Sequence, residues 1–512
     1  MNRTISAVAI VSVALLAPGA VRCQAGTPAG FTPELDAYLQ KAVDDWRVPG
    51  LAIAVVRNDS VLAAKGYGVR ELGKPGRVDA NTLFDVASLT KSFTAAAAAV
   101  LVDEGKLGWD DPVRRHLPWL EFADPYLTRE VTLRDLLSHR TGLEAANFMF
   151  RFTGYDRAEI LRRARWMRPQ APFRTQQVYN NILYAAAGEV TAAAAGTSWA
   201  ELVRTRLLAP LGMRSSAVEA AIDRGGNVAA PHAMMGGVQR PVRPRNEANI
   251  APAGGMHSTA ADMARWLRFQ LGRGELEGRR VVSERAMAEM HHPWTIIPTT
   301  PQVRAARQVH TFGGYGLGWN VMDYRGHPML WHSGNADGMP SYMAILPRDG
   351  IGLVVMLNTW GASFLHGDLA SRVLDVLLGL PTRDYAGESL VRTRAAQQRE
   401  RGAAASAMGA QIQGTHPTLA LDAYAGIYAD SLYGDFTVAR EGDALTLRMG
   451  RGEVADLHHW HHDTFHVQWR DELFGEYFGA MLTFALDARP AAVGIAMRLN
   501  RDEITARRRV ER

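Results

Sequence analysis

Cysteine is almost missing from this sequence: Cys23 is the only one in 512 residues. It sits in a stretch that reads as a leader. Cleavage after Ala25 would leave a chain with no disulfide, no cysteine-ligated metal and no thiolate nucleophile. Lysine is nearly as scarce, occurring only at 41, 65, 74, 91 and 106, so any chemistry that needs an amine must use one of these five. An excess of one charge is lacking too. The formal net charge is +5 and falls to +3 without Arg3 and Arg22 of the leader. The arginines are scattered, which argues against a nucleic-acid partner, and Arg507 to Arg509 read as a solvated tail. No run after the first residues is apolar for long enough to cross a bilayer, so no stable membrane insertion is expected. A GxSxG elbow and an HExxH zinc motif are both absent, which removes two common kinds of hydrolase. What remains is ordinary globular material, 47% hydrophobic and 21% charged, in a chain long enough for more than one domain.

The leader reads as a signal peptide over residues 1–25. Asn2 and Arg3 make a basic start, Ile5 to Leu16 an apolar run, and AVRCQAG a small-residue segment ending near Ala25. This predicts a periplasmic or secreted protein. The alternatives are lipidation at Cys23, disfavoured by the bulky Arg22 before it, and retention of the segment as an anchor.

Phe31 to Val48 has helical spacing and stops at Pro49-Gly50. Leu51 to Arg57 and Val61 to Tyr67 then pair around Asn58-Asp59 as a hairpin. The alanine tract after Phe84 predicts a helix packed closely against others. Further helices are predicted over 133–137, 157–166, 182–195 and 199–208, then from a Thr259–Asp262 capping-box pair to Leu271, and over 284–291. Short strands follow at Tyr315 to Val321, Met329 to Ser333, Ser341 to Leu346 and Ile351 to Leu357, with a closing helix over Leu369 to Leu378. Strands at both ends with helices between predict an α+β fold: one antiparallel sheet flanked by helices, plus a helical subdomain. Residues 386–415 read as a linker after a unit spanning 31–385. Residues 416–512 read as a small all-β, barrel-like domain.

Ser88-Leu89-Thr90-Lys91 carries the chemistry. A spacing of three on a helix puts hydroxyl and amine on one face. A serine in the first turn lies near unpaired backbone N–H groups, and apolar surroundings would help the amine lose its proton. Alone, the pattern also fits a serine cap beside a solvated lysine.

The stretch FDVASLTKSFTAAA resembles the Ser-x-x-Lys segment of the serine β-lactamase and penicillin-binding protein superfamily. In the expected order, Tyr179-Asn180-Asn181 resembles its Tyr-x-Asn segment. Trp331-His332-Ser333-Gly334 resembles the third element in the His-x-Gly form found in esterases and aminopeptidases of the group. LLSHRTGL, APAGGMHSTAADMARWL and YGLGW look like the class C β-lactamase-related, peptidase S12-like branch. The resemblance implies that Ser88 forms an acyl-enzyme while Lys91 and Tyr179 share its proton, the Tyr179 phenolate being eased by a nearby ammonium. It implies that Asn181 orients Lys91 or substrate, that His332, Ser333 and Gly334 support the substrate, and that the backbone N–H groups of Ser88 and Asn335 form the oxyanion hole. No cofactor and no metal are called for.

No lysine follows Lys106, so the Lys-Thr-Gly form of the third element cannot occur, and His332 is mostly neutral at pH 7. This favours a small ester, amide or peptide substrate over one with a free carboxylate. The expected activity is D-aminopeptidase-like hydrolysis of an amide or peptide bond. The alternatives are a carboxylesterase, a β-lactamase or D-alanyl-D-alanine carboxypeptidase, and a non-catalytic sensor of cell-wall fragments. The histidines between His458 and His466 suggest a sheet surface, or a metal site using His458, His462 and Asp463. HWHHDTF and YAGIYADSLYG resemble the small β-domain appended to many members of the group.

Overall fold

The computed structural model of the chain describes residues 30–218, 226–244, 247–298, 312–362, 364–408, 411–499 and 502–509. The leader, with Ala25 and Cys23, lies outside the described residues.

Among the described residues, eight antiparallel strands form the main sheet. Its spatial order is Thr295–Ile296, Gly313–Tyr315, Asn320–Tyr324, His327–Ala336, Met339–Leu346, Ile351–Leu357, Gly50–Arg57 and Ser60–Gly68. The N-terminal hairpin thus closes one side of a sheet built mostly from the far end of the unit. Strand periodicity explains how it is covered. Leu51, Ile53 and Val55 point into one core with Leu35, Leu39, Leu369 and Val373 of the helices Pro33–Asp45 and Leu365–Leu378. Ala52, Ala54 and Val56 point into the other, against Trp266 and Leu267 of the helix Ala260–Leu271. The helix Thr90–Asp103 runs inside this second layer with Ala95 to Ala99 fully buried, as its small side chains predict.

Two local expectations change. Tyr315 to Val321 is not one strand: Gly316 to Trp319 turn the chain, with Gly318 at φ +80°, so two short strands pair as a hairpin. At the start of Ala260–Leu271, Thr259 accepts the Asp262 N–H, but the Asp262 carboxylate takes hydrogen bonds from Ser215 and Ser216 and supports a distant loop.

The stretch expected to link the domains carries a helix, Tyr385–Met408. Beyond it, eight strands from Gly426–Asp430 to Asp502–Arg508 form a closed barrel. The arginine run is therefore no solvated tail. Arg507 and Arg508 pair with Ala429 and Tyr428 to close the barrel, and the Arg508 guanidinium donates to the carbonyls of Ala423 and Ala425. The histidine-rich segment is a hairpin turning at His462. Asp463 there accepts from Thr418 and from the Tyr424 hydroxyl. Among the described residues no group of histidines, cysteines and carboxylates is placed to hold a metal ion. None of the described helices is long and apolar enough to cross a membrane.

The barrel seats on the first unit through aromatic rings. Phe152, at the end of the helix Asn147–Phe152, stacks on Phe474 at 4.1 Å and lies 4.7 Å from Trp469. On another side Tyr477 stacks on Trp360 and donates to the Met234 carbonyl. Backbone approach is close enough at Gly452 that a Cβ would lie 2.0 Å from the Phe152 oxygen, so only glycine fits there.

Candidate active site

Ser88 stands on the 3₁₀ turn Ala87–Leu89 that leads into Thr90–Asp103. Ala87 is held at φ +48°, an uncommon conformation for a residue with a side chain. Its N–H is fixed by the Asp85 carboxylate at 2.7 Å and its carbonyl by the Thr90 hydroxyl at 2.6 Å. The strand His327–Ala336 passes so near that a Cβ on Gly334 would sit 2.4 Å from the Val86 oxygen and 3.0 Å from the Ala87 Cβ. Glycine at this point lets the strand lie against the Ser88 turn. Asn335, the second expected oxyanion donor, follows immediately and is exposed, and Ser333 is partly exposed.

Lys91 is fully buried. Its Nζ lies 2.7 Å from Asn181 Oδ1, 2.8 Å from the Ala253 carbonyl and 3.1 Å from Ser88 Oγ. Burial holds its pKa well below the ordinary lysine value, with Glu247 opposing. A neutral amine has two N–H bonds and one lone pair. Asn181 and Ala253 offer acceptors for the two N–H bonds, which leaves the lone pair for the Ser88 hydroxyl.

Tyr179 Oη lies 3.0 Å from Ser88 Oγ, and Lys91 Nζ lies 4.7 Å from the centre of its ring. Burial raises the Tyr179 phenol above its ordinary value, against the lowering effect of the Ser88 contact. Withdrawal from water disfavours the charged form of each of the two groups.

Asn181 begins the helix Asn181–Ala195, with Asn180 as its cap, and its Nδ2 reaches Asn147 Oδ1 at 3.4 Å. His332 is buried at 3% exposure. Ser333 O, 2.7 Å from Nδ1, can only accept, so the proton is assigned to Nδ1 and Nε2 accepts from the Tyr315 hydroxyl at 3.0 Å. Burial, helped by Lys91, pushes its pKa down to about 3, so this ring carries no charge at neutral pH.

The acids beside this centre fill no position in the Ser-x-x-Lys, Tyr-x-Asn or His-x-Gly elements. Asp337 pairs with Arg151 at 2.9 Å, Glu247 lies 3.5 Å from the same guanidinium, and Asp85 is 3.6 Å from His257. Only their closeness in sequence to FDVASLTK, HSGN and APAGG hinted at them, and that says nothing of contact. Burial and mutual repulsion raise Asp85 and Glu247 to about 7 each. A carboxyl whose folded pKa exceeds its unfolded one stabilises the fold fully below the unfolded pKa, and loses this as pH rises through the folded one. Glu247→Gln should therefore flatten part of the fall in stability between about pH 4 and 7, read as Tm against pH beside the unaltered protein. An unchanged slope would count against a proton held on Glu247.

Comparison with known proteins bears on the family and the fold. A family model described as Beta-lactamase matches residues 35–378, and one described as a domain of unknown function (DUF3471) matches residues 410–511. The unguisins hydrolase ungD of Aspergillus violaceofuscus is 29% identical over 439 residues, covering 80% of this chain and 76% of that protein. Its counterpart ungD' of Aspergillus campestris is 30% identical over 64% of this chain, and the match spans only 62% of that longer protein. Penicillin-binding protein 4 of Amycolatopsis lactamdurans is 30% identical over 65% of this chain and 87% of its own length. Among solved structures, the octameric penicillin-binding protein homologue from Pyrococcus abyssi superposes with a TM-score of 0.59 at 23% identity, covering 92% of this chain and 99% of that one. SurE does so with a TM-score of 0.57 at 19% identity, covering 93% and 98%.

Proposed function

We propose, from the premise that this chain belongs to the beta-lactamase family, that it hydrolyses an amide or peptide bond through an acyl-serine formed on Ser88. The observation that carries the reading is the threefold setting of Lys91 Nζ between Asn181, Ala253 and Ser88. Lys91 takes the Ser88 proton as the hydroxyl attacks the carbonyl carbon. The backbone N–H groups of Ser88 and Asn335 receive the oxyanion. Tyr179, hydrogen-bonded to Ser88 Oγ, hands a proton to the departing amine, and Lys91 recharges it. In the second half a water takes the place of the amine and releases the acid.

Two features favour a D-aminopeptidase-like activity over cleavage of substrates with a free carboxylate. His332 is neutral where the Lys-Thr-Gly form of the motif would place an ammonium. Among the described residues beside the centre, the carboxyls of Asp85, Glu247 and Asp337 outnumber the guanidinium of Arg151. Two relatives carry the name of hydrolases of unguisins, which accords with the hydrolytic part of the reading. The basic start and apolar run of residues 1–16 support action in the periplasm or outside the cell.

The test is a substrate panel compared by kcat/KM: D- and L-aminoacyl amides, nitrophenyl esters, β-lactams and D-alanyl peptides ending in a free carboxylate. The amides are expected to exceed the β-lactams and carboxylate-bearing peptides by about tenfold or more. Faster esters with inert amides would make the enzyme a carboxylesterase. Stable acylation without release would make it a penicillin-binding sensor.

A further inference from the structure

We propose that His139 is a positioning residue that sets the Tyr179 phenol against Ser88. The inference rests on the reading of Ser88 as nucleophile and assigns a task to a side chain that touches neither Ser88 nor substrate.

His139 grips the chain on both sides of Tyr179. Its carbonyl accepts the Val178 N–H at 2.8 Å, and its ring nitrogen Nδ1 accepts the Asn180 N–H at 3.2 Å. One residue can offer both acceptors to one segment because its backbone is turned into the left-handed region, at φ +56°. Between these two hydrogen bonds the Tyr179 ring lies against the imidazole, with centroids 4.3 Å apart. The rings of Tyr315 and Tyr184, at 4.9 and 5.3 Å, fix the imidazole from other sides. The residue is 1% exposed.

The hydrogen-bond roles follow from the partners. A backbone N–H can only donate, so Nδ1 must be the acceptor and the proton belongs on Nε2. Nε2 itself is buried with no hydrogen-bond partner among the described residues, so the Asn180 contact is the ring's one polar anchor. Burial, with Lys91 adding repulsion, keeps the ring from taking a second proton that would abolish this acceptor. The next residue is pinned too: Asn180 caps its helix through Oδ1 and donates to the Glu144 carbonyl through Nδ2. With Val178 and Asn180 both held, Tyr179 has little backbone freedom, and the imidazole blocks one side of its ring. Proton transfer falls off steeply when donor and acceptor are misplaced, so a looser Tyr179 costs rate while Ser88 and Lys91 stay intact.

The test is a double-mutant cycle on the full chain, read by turnover of the best substrate and by fluorophosphonate labelling of Ser88. His139→Gly accepts the positive φ without steric cost and removes the acceptor. His139→Asn keeps an acceptor near the place of Nδ1 and tolerates this backbone. We expect kcat to fall about 10- to 100-fold in His139→Gly, within the range of a lost proton-transfer contribution, and to recover most of that in His139→Asn. In a Tyr179→Phe background, His139→Gly should cost little more, because the group it positions is gone. An equal loss in both backgrounds would overturn the inference, as would an Asn variant no better than Gly. If the glycine variant does not fold, His139→Gln replaces it in the same cycle, since its longer side chain misses the Asn180 N–H. Absence of labelling and turnover in the unaltered protein would instead bring down the hydrolase reading and this inference together, an outcome separate from either of the others.

Discussion

Ser88→Ala is expected to abolish fluorophosphonate labelling and to lower kcat on the order of 10^4- to 10^6-fold. Removal of the nucleophile from serine hydrolases has losses of that size, the residue being the catalysis left to the oxyanion hole and binding. Ser88 Oγ meets Lys91 Nζ at 3.1 Å and Tyr179 Oη at 3.0 Å, so its removal leaves a base with nothing to deprotonate and an acid with nothing to relay. Circular dichroism and Tm should stay close to those of the unaltered protein, because the hydroxyl lies at a partly exposed turn. Turnover undiminished in the variant would remove the acyl-serine from the mechanism.

Lys91→Arg should cost about 10^2- to 10^4-fold, for a reason of charge and not of size alone. A guanidinium holds its proton throughout the working pH range and cannot act as base. The unaltered enzyme should show kcat/KM rising with pH through one ionisation well below the ordinary lysine range, because burial depresses Lys91 and only its deprotonated form can accept the Ser88 proton. The arginine variant should lose that rising limb. A limb that survived unchanged would assign the ionisation to another group, with Glu247 and Asp85, each raised to about 7, the first to examine. The Glu247→Gln variant separates these cases, since it removes one of the two and leaves Lys91 in place.

Much of this arrangement was readable in the residues. Ser88 and Lys91 are three apart, and a helix turns such a pair to one face whatever surrounds it. Leu51 to Arg57 and Val61 to Tyr67 announced a hairpin, and Ala95 to Ala99 a helix in tight quarters; both are so. The closing strand of the barrel escaped notice because Asp502–Arg508 is polar on its outer side and looks like a charged tail. Its partners, Gly494 to Leu499 and Tyr428 to Ala429, reveal it only once they are beside it. The turn at Gly318 was missed since YGLGW is apolar enough to pass for strand. His139 lies in LLSHRTGL and Glu247 just before APAGG, but neither stretch tells what the side chain touches.

The primary structure alone settles which groups are available near the nucleophile: one amine at helical spacing from Ser88, and no lysine after Lys106 that could charge the third motif. Those facts follow from covalent order and helical pitch. How readily that amine takes a proton was decided by folding. Asn181, Ala253 and the tyrosine rings come from segments far along the chain, and together they remove Lys91 from water. Desolvation depends on everything that packs around a group, and no short window of sequence contains it.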